Sequence, residues 1–348
     1  MKLQKKMQKS NRKKLSLGQL FLFLSGIIFY RVMKMCTAIG LKTKDFYFGR
    51  TLDNEFSYGE EITVTPRNFP FRFRFTGEMK SHYAIIGMAR VSDDFPLYFD
   101  GMNEKGLCIA GLNFVGNAYF ENCDHDALNI AQFEFIPYVL GKCATVKEAK
   151  KEIEKINITN TSFNDKLGVA QLHWLIADKD DCVTLEITKS GKFIYDNPVG
   201  VLTNNPTFPE QMGRLNDYMH LSNTPPKNTF AKGLDLECYS KGMGAMGLPG
   251  DLSSASRFIR AAFTRCNSVC ENDEVSSVSQ FFRVIGTVEQ TRGVNKTDNG
   301  FEITIYTSCC NAGKGIYYYK TYDGFSIKSV DMHKENLDGT KLITHTLK

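Results

Sequence analysis

The sequence predicts an α+β protein in which antiparallel sheets are covered by helices. Strand-like segments come first along residues 36–348, helix-like segments follow, and strands return near the C-terminus. This order is typical of α+β folds rather than of α/β folds, in which the two alternate. The chain has no low-complexity linker and no internal repeat, so we expect one domain. Hydrophobic residues make up 42% of the 348 residues and charged residues 23%, which allows a sizeable core.

The first two strands are predicted to form a hairpin. The segments CTAIGLKT and FYFGRTLD flank Lys44 and Asp45, which are typical of a two-residue turn. In such a hairpin, residues whose numbers add to 89 face each other, so we expect Cys36 opposite Asp53. Further strands are expected at 61–66, 82–90 and 96–101, followed by a turn and a strand within 100–114.

Helices are predicted in the middle of the chain. Two are expected over residues 129–156, and the second begins with a capping box, Thr145-x-x-Glu148. A meander of strands follows at 172–187, 192–196 and 200–206, with an internal turn at 178–181. The remaining helices are expected at 209–220, from about 253–256 onward and over 274–288, and the closing strands at 301–308, 315–323 and 325–331.

The positive charge of the chain belongs to its first 35 residues. These contain nine Lys or Arg and no Asp or Glu, so the net charge of +5 becomes +5 − 9 = −4 for residues 36–348. The basic character therefore gives no reason to expect nucleic-acid binding by the folded part.

Residues 1–35 are predicted to be a leader that is not part of the working protein. A basic segment precedes the apolar run LSLGQLFLFLSGIIFY, which is shorter than the ~20 residues that span a bilayer. Three interpretations remain open: a mis-assigned start, with translation from Met33 or Met35; a real anchor or signal; or a processed pro-segment. The first predicts a cytoplasmic protein, and the others a membrane-anchored, exported or processed one.

The cysteines and short motifs do not indicate a metal or cofactor. The ten cysteines include no CxxC pair, so a zinc ribbon is not expected. We expect instead the reduced thiols of a cytosolic protein. The sequence GMGAMG at 242–247 matches GxGxxG, but no βαβ pattern surrounds it and the next helix begins only near Ser253. We interpret it as a glycine-rich loop beside a pocket. No HExxH, GxSxG or Walker A sequence is present.

Cys36 is the candidate nucleophile if translation starts at Met35 and this methionine is removed, because a cysteine at the N-terminus carries its own base. An α-amino group titrates near about 7.7–8 and a thiol near about 8.5, so the amine can take the thiol proton at neutral pH. Asp53 could orient the amine, and Arg50 could favour the thiolate or bind substrate. Strict alternation places Arg50 and Asp53 on opposite faces of the strand, so this site requires a bulge or an early strand end. The alternative is a hairpin with an exposed ion pair. None of the six histidines lies in a recognisable motif.

Five segments resemble the choloylglycine hydrolase family, which includes the conjugated bile salt hydrolases and the penicillin V acylases. They are MCTAIGLKTKDFYFGRTLDNEFSYGEE, DGMNEKGLCIAGLNF, GVLTNNPTF, GLPGDLSSASRFIRAAF and YTSCCNAGKGIYYYKTYD, in the order of the family. The resemblance covers essentially all of residues 36–348 and none of 1–35. It implies an N-terminal-nucleophile hydrolase with an αββα sandwich, in which two antiparallel sheets lie between helix layers.

The resemblance also assigns expected roles. Cys36 resembles the nucleophile, Arg50 and Asp53 the residues that support it, and Arg257 the arginine near it. Asn113 and Asn204 resemble the asparagines of the oxyanion hole and of amine positioning. Amide donors suit a developing oxyanion.

The expected substrate is a bile salt conjugated to glycine or taurine. Penicillin acylases of the family usually carry tyrosine where this chain has Asn113, which favours bile salt amides. Leu52, Tyr58 and Phe99 are weaker candidates for an apolar pocket. No metal or cofactor is implied, and family members are commonly dimers or tetramers. The alternatives are a penicillin V or other N-acyl amide acylase and, from another class, a membrane-anchored binding protein with an inactive fold.

Overall fold

The computed structural model describes residues 35–347, and the predictions for residues 1–34 lie outside that range. Twenty strands and five α-helices occur within it. The strands are β1 (Cys36–Lys42), β2 (Phe46–Asn54), β3 (Glu61–Thr65), β4 (Phe71–Phe73), β5 (Gly77–Met79), β6 (Ile85–Ser92), β7 (Phe95–Asn103), β8 (Cys108–Asn113), β9 (Leu128–Ala131), β10 (Ile156–Thr159), β11 (Leu172–Ala177), β12 (Cys182–Thr188), β13 (Gly191–Asp196), β14 (Val201–Leu202), β15 (Lys296–Thr297), β16 (Gly300–Phe301), β17 (Ile303–Asn311), β18 (Ile316–Thr321), β19 (Gly324–Asp331) and β20 (Ile343–Thr346). The helices are α1 (Phe135–Lys142), α2 (Val146–Lys155), α3 (Phe208–Arg214), α4 (Ser254–Asn267) and α5 (Glu274–Gly286).

Two antiparallel sheets form the centre of the fold. The first sheet has six strands in the order β14-β1-β2-β17-β18-β19, and the second has eight in the order β13-β12-β11-β8-β7-β6-β3-β20. Three two-stranded pairs lie outside them: β4 with β5, β15 with β16, and the parallel pair β9 with β10. Among residues 35–347, no helix is long and apolar enough to cross a membrane.

Helices cover the outer faces of both sheets. Apolar residues of α4 and α5 belong to the same buried cluster as β1, β2 and β17 of the first sheet. Residues of α1 and α2 share a second cluster with the second sheet. In β8, Cys108, Ala110 and Leu112 belong to the first cluster and Ile109 to the second, because successive side chains of a strand point to opposite faces. This is the αββα sandwich that the resemblance implied.

The register of the first hairpin differs from the prediction. Lys42 pairs with Phe46, and Cys36 pairs with Leu52 rather than with Asp53. The connection has three residues, 43–45, and the Thr43 amide donates to the Asp45 carbonyl at 2.9 Å. The expected pairing was therefore wrong by one residue, and such a slip changes which side chains share a face.

Several other elements have different bounds from those predicted. Residues 129–131, expected in a helix, belong to β9, where they pair with β10. The helix expected over 209–220 ends at Arg214 and continues as a 3-10 turn over Leu215–Tyr218. The strand expected at 200–206 is only β14. At the start of α2, Thr145 Oγ1 accepts from the Glu148 amide at 3.2 Å as predicted, while Glu148 accepts from Ala144.

Candidate active site

Cys36 is the first residue of β1 and is 2% exposed. Arg50 shares its sheet face, because Arg50 pairs with Ala38 two residues further along β1. Arg50 Nη2 donates to Cys36 Sγ. The hairpin alone therefore brings a cation to the sulfur.

Arg50 is itself buried between the two sheets, with 1% exposure. Its Nη1 donates to the carbonyls of Phe99, at 3.2 Å, and of Gly111, which belong to the second sheet. Burial acts to lower the pKa of Arg50, but the negative charges of Cys36, Tyr306 and Asp100 outweigh it and the net direction is upward. The guanidinium is therefore a fixed positive charge at the sulfur.

Asn204 and Arg257 hold the backbone of Cys36. The Cys36 amide nitrogen donates to Asn204 Oδ1 at 2.9 Å, and Arg257 Nη2 donates to the same oxygen at 2.7 Å. Arg257 Nη1 donates to the Cys36 carbonyl at 2.6 Å and to Thr37 Oγ1 at 2.7 Å. Arg257 lies in the first turn of α4 and is fully buried, so this helix fixes the start of β1.

Asn204 also reaches the end of β8. Its Nδ2 donates to the backbone carbonyl of Asn113 at 2.8 Å, and its own amide donates to Ser254 Oγ at 2.8 Å. Asn113, the last residue of β8, is half-buried. The two asparagines that the resemblance singled out are thus in contact.

Asp53 lies on the other face of β2 from Arg50, as strict alternation requires. Its carboxylate accepts from Thr304 Oγ1 at 2.6 Å and Thr51 Oγ1 at 3.1 Å, whereas the Cys36 amide has Asn204 as its acceptor. The expected bulge or early end of β2 is wrong: β2 continues to Asn54, and the irregularity is in β17, between Thr304 and Tyr306. Burial raises the pKa of Asp53 to about 6, against the opposing charge of Arg257.

The residue before Cys36 is held as firmly as Cys36 itself. The Met35 amide donates to Glu302 Oε1 at 2.8 Å, and the Met35 carbonyl accepts from the Asp53 amide at 3.1 Å. Glu302 is 3% exposed, and its burial raises its pKa to about 7. No motif marks Glu302, which is a single acidic residue between β16 and β17.

The electrostatics of Cys36 reflect competing effects. Burial raises the pKa of the thiol, with a further upward contribution from Asp53, while Arg50 and Arg257 lower it. In the chain that retains Met35 the net direction is upward. The thiol therefore needs a nearby proton acceptor to react at neutral pH.

Three candidate pocket residues lie beside the sulfur. Leu52 is buried directly opposite Cys36 across the hairpin. The rings of Tyr58 and Phe99 are stacked with centroids 5.8 Å apart, and both are half-buried. Burial, and after it the charge of Cys36, raises the pKa of Tyr58, which places this ring near the nucleophile.

One histidine contacts the residues next to Asn204 and Asn113. His173 is fully buried, and its Nε2 lies 2.8 Å from the carbonyl of Thr203, the residue before Asn204. Its Nδ1 lies 3.1 Å from Glu186, and its ring stacks on Phe114, next to Asn113, at 4.2 Å. No motif marks it, since its partners come from distant segments.

The remaining motif does not form a nucleotide site. Residues 242–247 hold a short 3-10 turn, Met243–Ala245, instead of opening a helix. Within residues 35–347, no group of three or more His, Cys, Asp or Glu side chains is arranged to hold a metal ion.

The arrangement combines the parts that acyl transfer requires. A thiol lies against a guanidinium, its own nitrogen is held by a carboxamide oxygen, and the nitrogen of the same carboxamide lies beside a second asparagine. Such a cluster can form a thiolate and stabilise an oxyanion.

Comparison with known proteins places the chain in a family. Residues 36–345 match the model for linear amide C–N hydrolases, choloylglycine hydrolase family. A bile salt hydrolase/transferase of Lactiplantibacillus plantarum is 52% identical over 315 residues, which are 90% of this chain and 97% of the relative. A bile salt hydrolase/transferase of Clostridium perfringens is 38% identical, over 89% of this chain and 96% of the relative.

Solved structures agree in fold. The crystal structure of a variant conjugated bile acid hydrolase from Clostridium perfringens has a TM-score of 0.83 and 36% identity, and the match covers 90% of this chain and 97% of that one. Penicillin V acylase from Agrobacterium tumefaciens has the same fold, with a TM-score of 0.73, 21% identity and coverage of 89% and 91%. The chain therefore belongs to the choloylglycine hydrolase family of linear amide C–N hydrolases.

Proposed function

We propose that this enzyme hydrolyses the amide bond that joins a bile acid to glycine or taurine, with Cys36 as its nucleophile. The substrate class is supported by the names of the relatives, which act on bile salts or conjugated bile acids. The observation that carries the mechanism is the contact of Cys36 with both Arg50, through its sulfur, and Asn204, through its nitrogen at 2.9 Å.

The working enzyme, in this proposal, is the single domain 36–348 with a free amine on Cys36. Removing the preceding residues converts the Cys36 amide into an α-amine at the same place, where Asn204 Oδ1 and Arg257 already fix its surroundings. An amine with a pKa of about 7.7–8 can accept the thiol proton near neutral pH. A chain that retained Met35 would lack this base.

The reaction proceeds in two halves. The thiolate sulfur of Cys36 attacks the amide carbonyl carbon, and the tetrahedral intermediate collapses when the C–N bond breaks and the proton held by the α-amine passes to the leaving glycine or taurine. A thioester remains. Water then attacks the thioester carbonyl, the amine accepts a proton from that water, and the C–S bond breaks to release the bile acid and regenerate the thiol.

The other side chains support these steps. Asn204 Nδ2 and Asn113 are proposed to donate to the oxyanion, and Arg50 to stabilise the thiolate. Arg257 orients Cys36 and Asn204 through three contacts, to the Cys36 carbonyl, Thr37 Oγ1 and Asn204 Oδ1. Asp53 is proposed to orient the amine after Met35 has been removed. Its amide now donates to the Met35 carbonyl.

The apolar residues beside Cys36 suit a steroid better than a small polar acyl group. Leu52, Tyr58 and Phe99 provide one aliphatic and two aromatic surfaces next to the sulfur, and small-molecule sites are mostly apolar with a few polar groups. A penicillin V acylase is the alternative. Parallel assays on glycocholate and penicillin V decide between them, and faster turnover of penicillin V would refute the bile salt assignment.

The direct test replaces the nucleophile. Cys36→Ala and Cys36→Ser are expected to abolish release of glycine from glycocholate, while Cys266→Ala, at an exposed cysteine of α4, is expected to retain it. Release of glycine by either Cys36 variant would refute the mechanism. An inactive wild-type chain that binds glycocholate would instead support the alternative of a binding protein.

A transfer reaction is a second candidate function. Relatives from three organisms carry the name bile salt hydrolase/transferase, and a thioester can pass its acyl group to an amine as well as to water. Incubation of glycocholate with excess taurine is expected to give taurocholate, detected by mass spectrometry. Its absence beside active hydrolysis would exclude transfer to this amine.

The assembly is proposed to be a homo-dimer or homo-tetramer. Residues 219–241 form a long exposed segment in which Met219, Phe230 and Tyr239 are 79–82% exposed, and we propose that burial of these side chains against a second copy stabilises the assembly. Analytical ultracentrifugation is expected to show an oligomer that the double substitution Phe230→Ser and Tyr239→Ser weakens.

The protein is also proposed to be cytoplasmic. Recovery of the activity in the membrane fraction would contradict this location.

A further inference from the structure

Asp100 is a buried carboxylate that the mechanism above does not use. It lies in β7 of the second sheet with 0% exposure. Tyr306 Oη donates to its Oδ2 at 2.7 Å, and Tyr317 Oη and Ser308 Oγ donate to its Oδ1 at 2.6 Å and 3.2 Å. Three hydroxyl groups of the first sheet thus converge on one carboxylate of the second.

These donors stabilise the ionised form. Burial raises the pKa of Asp100 and sets its net upward direction, while the charge of Arg50 and the three hydroxyl groups act against burial. Hydrogen bonds to a carboxylate favour its charged state, and Asp100 accepts three of them while the positive charge of Arg50 acts on it. Asp100 is therefore treated as an anion.

Asp100 is linked to Arg50 by two short routes. The Arg50 amide donates to Ser308 Oγ at 3.1 Å, and this hydroxyl donates to Asp100. The carbonyl of Phe99, the residue before Asp100, accepts from Arg50 Nη1. The other end of the guanidinium donates to Cys36. A buried cation that lost its counter-charge would be costly.

We propose that Asp100 is a positioning residue that shares the positive charge of Arg50 with Cys36 and so sets how strongly the guanidinium stabilises the thiolate. The proposal rests on the proposed function in one respect, since Cys36 is taken as the nucleophile. Asp100 itself acts only through Arg50 and Ser308. It divides the positive charge of Arg50 between itself and the thiolate.

Removing the negative charge of Asp100 is expected to lower the pKa of the Cys36 thiol. Asp100→Asn removes one of the negative charges that act on Arg50 and that oppose ionisation of Cys36, so the thiolate becomes more stable and the thiol titrates at lower pH. A more stable thiolate is also a weaker nucleophile. The titratable and charged groups around Asp100, Arg50 and Cys36 are Asp53, Tyr58, Arg257, Tyr306, Tyr317, Cys108, Cys310 and, through Tyr306, Glu60. All of them are unchanged in this variant.

The test measures alkylation of Cys36 by iodoacetamide against pH, with mass spectrometry of the peptide that carries Cys36. Asp100→Asn is expected to move the midpoint of the rate to lower pH by about one unit. For glycocholate, kcat is expected to fall about tenfold with KM within about twofold, because Asp100 does not line the pocket.

Tyr98→Phe is the matched control. Tyr98 belongs to the same strand and is buried, but its hydroxyl bonds to Thr65 and Thr63 at the other side of the sheet. This variant is expected to lose some thermal stability with no shift of the alkylation midpoint. An unchanged midpoint in folded Asp100→Asn, or an equal shift in Tyr98→Phe, would overturn the proposal.

A double-mutant cycle tests the pairing without catalysis. Arg50→Met and Asp100→Asn are each expected to lower Tm, and the double variant is expected to lose clearly less than the two losses combined. If Asp100→Asn alone does not fold, a folded double variant supports the pairing. Additive losses, or an unfolded double variant beside a folded Arg50→Met, would overturn it. Glycine release by Cys36→Ala would instead refute the proposed function.

Discussion

At the scale of single residues, the orientation of Asn204 follows from its partners. Its Oδ1 accepts from the Cys36 nitrogen and from Arg257, so its Nδ2 must point the other way, toward the Asn113 carbonyl. A carboxamide has two N–H groups on that nitrogen. One is used by Asn113, and the proposed mechanism uses the second for the oxyanion.

Replacing Asn204 should therefore affect turnover more than binding. Asn204→Ala removes an oxyanion donor and the acceptor that holds the Cys36 nitrogen, so kcat for glycocholate is expected to fall by about 10²–10³ with a small change in KM. Asn197→Ala is the control, because Asn197 is also a buried asparagine with two hydrogen bonds, to Thr184 and Val201. An equal fall of kcat in both variants would mean that only packing was lost.

Glu302 predicts a pH dependence of stability in the chain that retains Met35. Its pKa is raised from 4.5 to about 7, so the folded state binds this proton more tightly than the unfolded state. The contribution is fully present below about pH 4.5 and is lost as pH rises through 7, a change on the order of 3 kcal/mol. Asp53, raised to about 6, adds to the loss with the same sign.

The measurement is the free energy of unfolding in urea from pH 4 to pH 8. Wild type is expected to lose stability over this range, and Glu302→Gln is expected to lose less of it, whatever its constant offset. Parallel curves for the two proteins would show that Glu302 does not carry the titration.

Cys36, Arg50, Asn204 and Arg257 could be singled out as candidates from the sequence because each belongs to a segment that resembles the family, and the structure brings them together. The sequence did not identify Glu302 or Asp100. The partner of Glu302 is Met35, 267 residues away along the chain, and the partners of Asp100 come from another sheet. A single carboxylate in a strand is ordinary until the tertiary fold buries it.

At the scale of elements, the close approach of β2 and β17 positions Arg50. A Cβ added at Gly49 would lie 2.0 Å from the Ser308 carbonyl oxygen and 2.9 Å from the Cys309 Cα. These are backbone atoms, so the strands themselves would have to move. Glycine at this position allows β17 to bring Ser308 to the Arg50 amide.

Gly49→Ala is therefore expected to destabilise the fold by at least about 3 kcal/mol, measured by urea unfolding. Gly213→Ala is the control, because Gly213 lies in α3 and its added Cβ would meet nothing within 4 Å. It is expected to change stability by less than about 1 kcal/mol. Equal stability of the two variants would contradict the close packing of β2 and β17.

The elements themselves were partly predictable. Long strands with alternating or continuous apolar residues, such as β1, β2, β11, β12 and β17, were expected close to where they lie. The short strands β4, β5, β9, β10, β15, β16 and β20 have too few residues to show a period. The register of the first hairpin was missed because a three-residue connection and a two-residue turn are hard to distinguish from KTKD alone.

At the scale of the whole molecule, the site depends on charges buried between layers. Arg50 and Arg257 are at most 1% exposed, and Asp53 and Asp100 are fully buried. These four residues come from β2, α4 and β7, so all three elements must pack together before the four charges meet. The sandwich fold was predictable from the resemblance of the segments, whereas this balance of charges required the packed layers.

Cys36 is proposed to act as an N-terminal nucleophile through a thioester. Both parts are observable on one peptide: its first residue and its acyl group. Neither the buried thiol nor the family assignment alone distinguishes this mechanism from one in which the residues before Cys36 remain attached.

The decisive measurement is mass spectrometry of the N-terminal peptide after acid quenching of a reaction with glycocholate. The predicted result is a peptide that begins at Cys36 and carries one cholyl group on its sulfur, and hydroxylamine is expected to remove this group as the hydroxamate and leave the free thiol. An active protein whose N-terminus precedes Cys36 would contradict the N-terminal mechanism. The thioester would be contradicted if no acyl group appeared on Cys36 at any quench time and the Cys36→Ala variant were active.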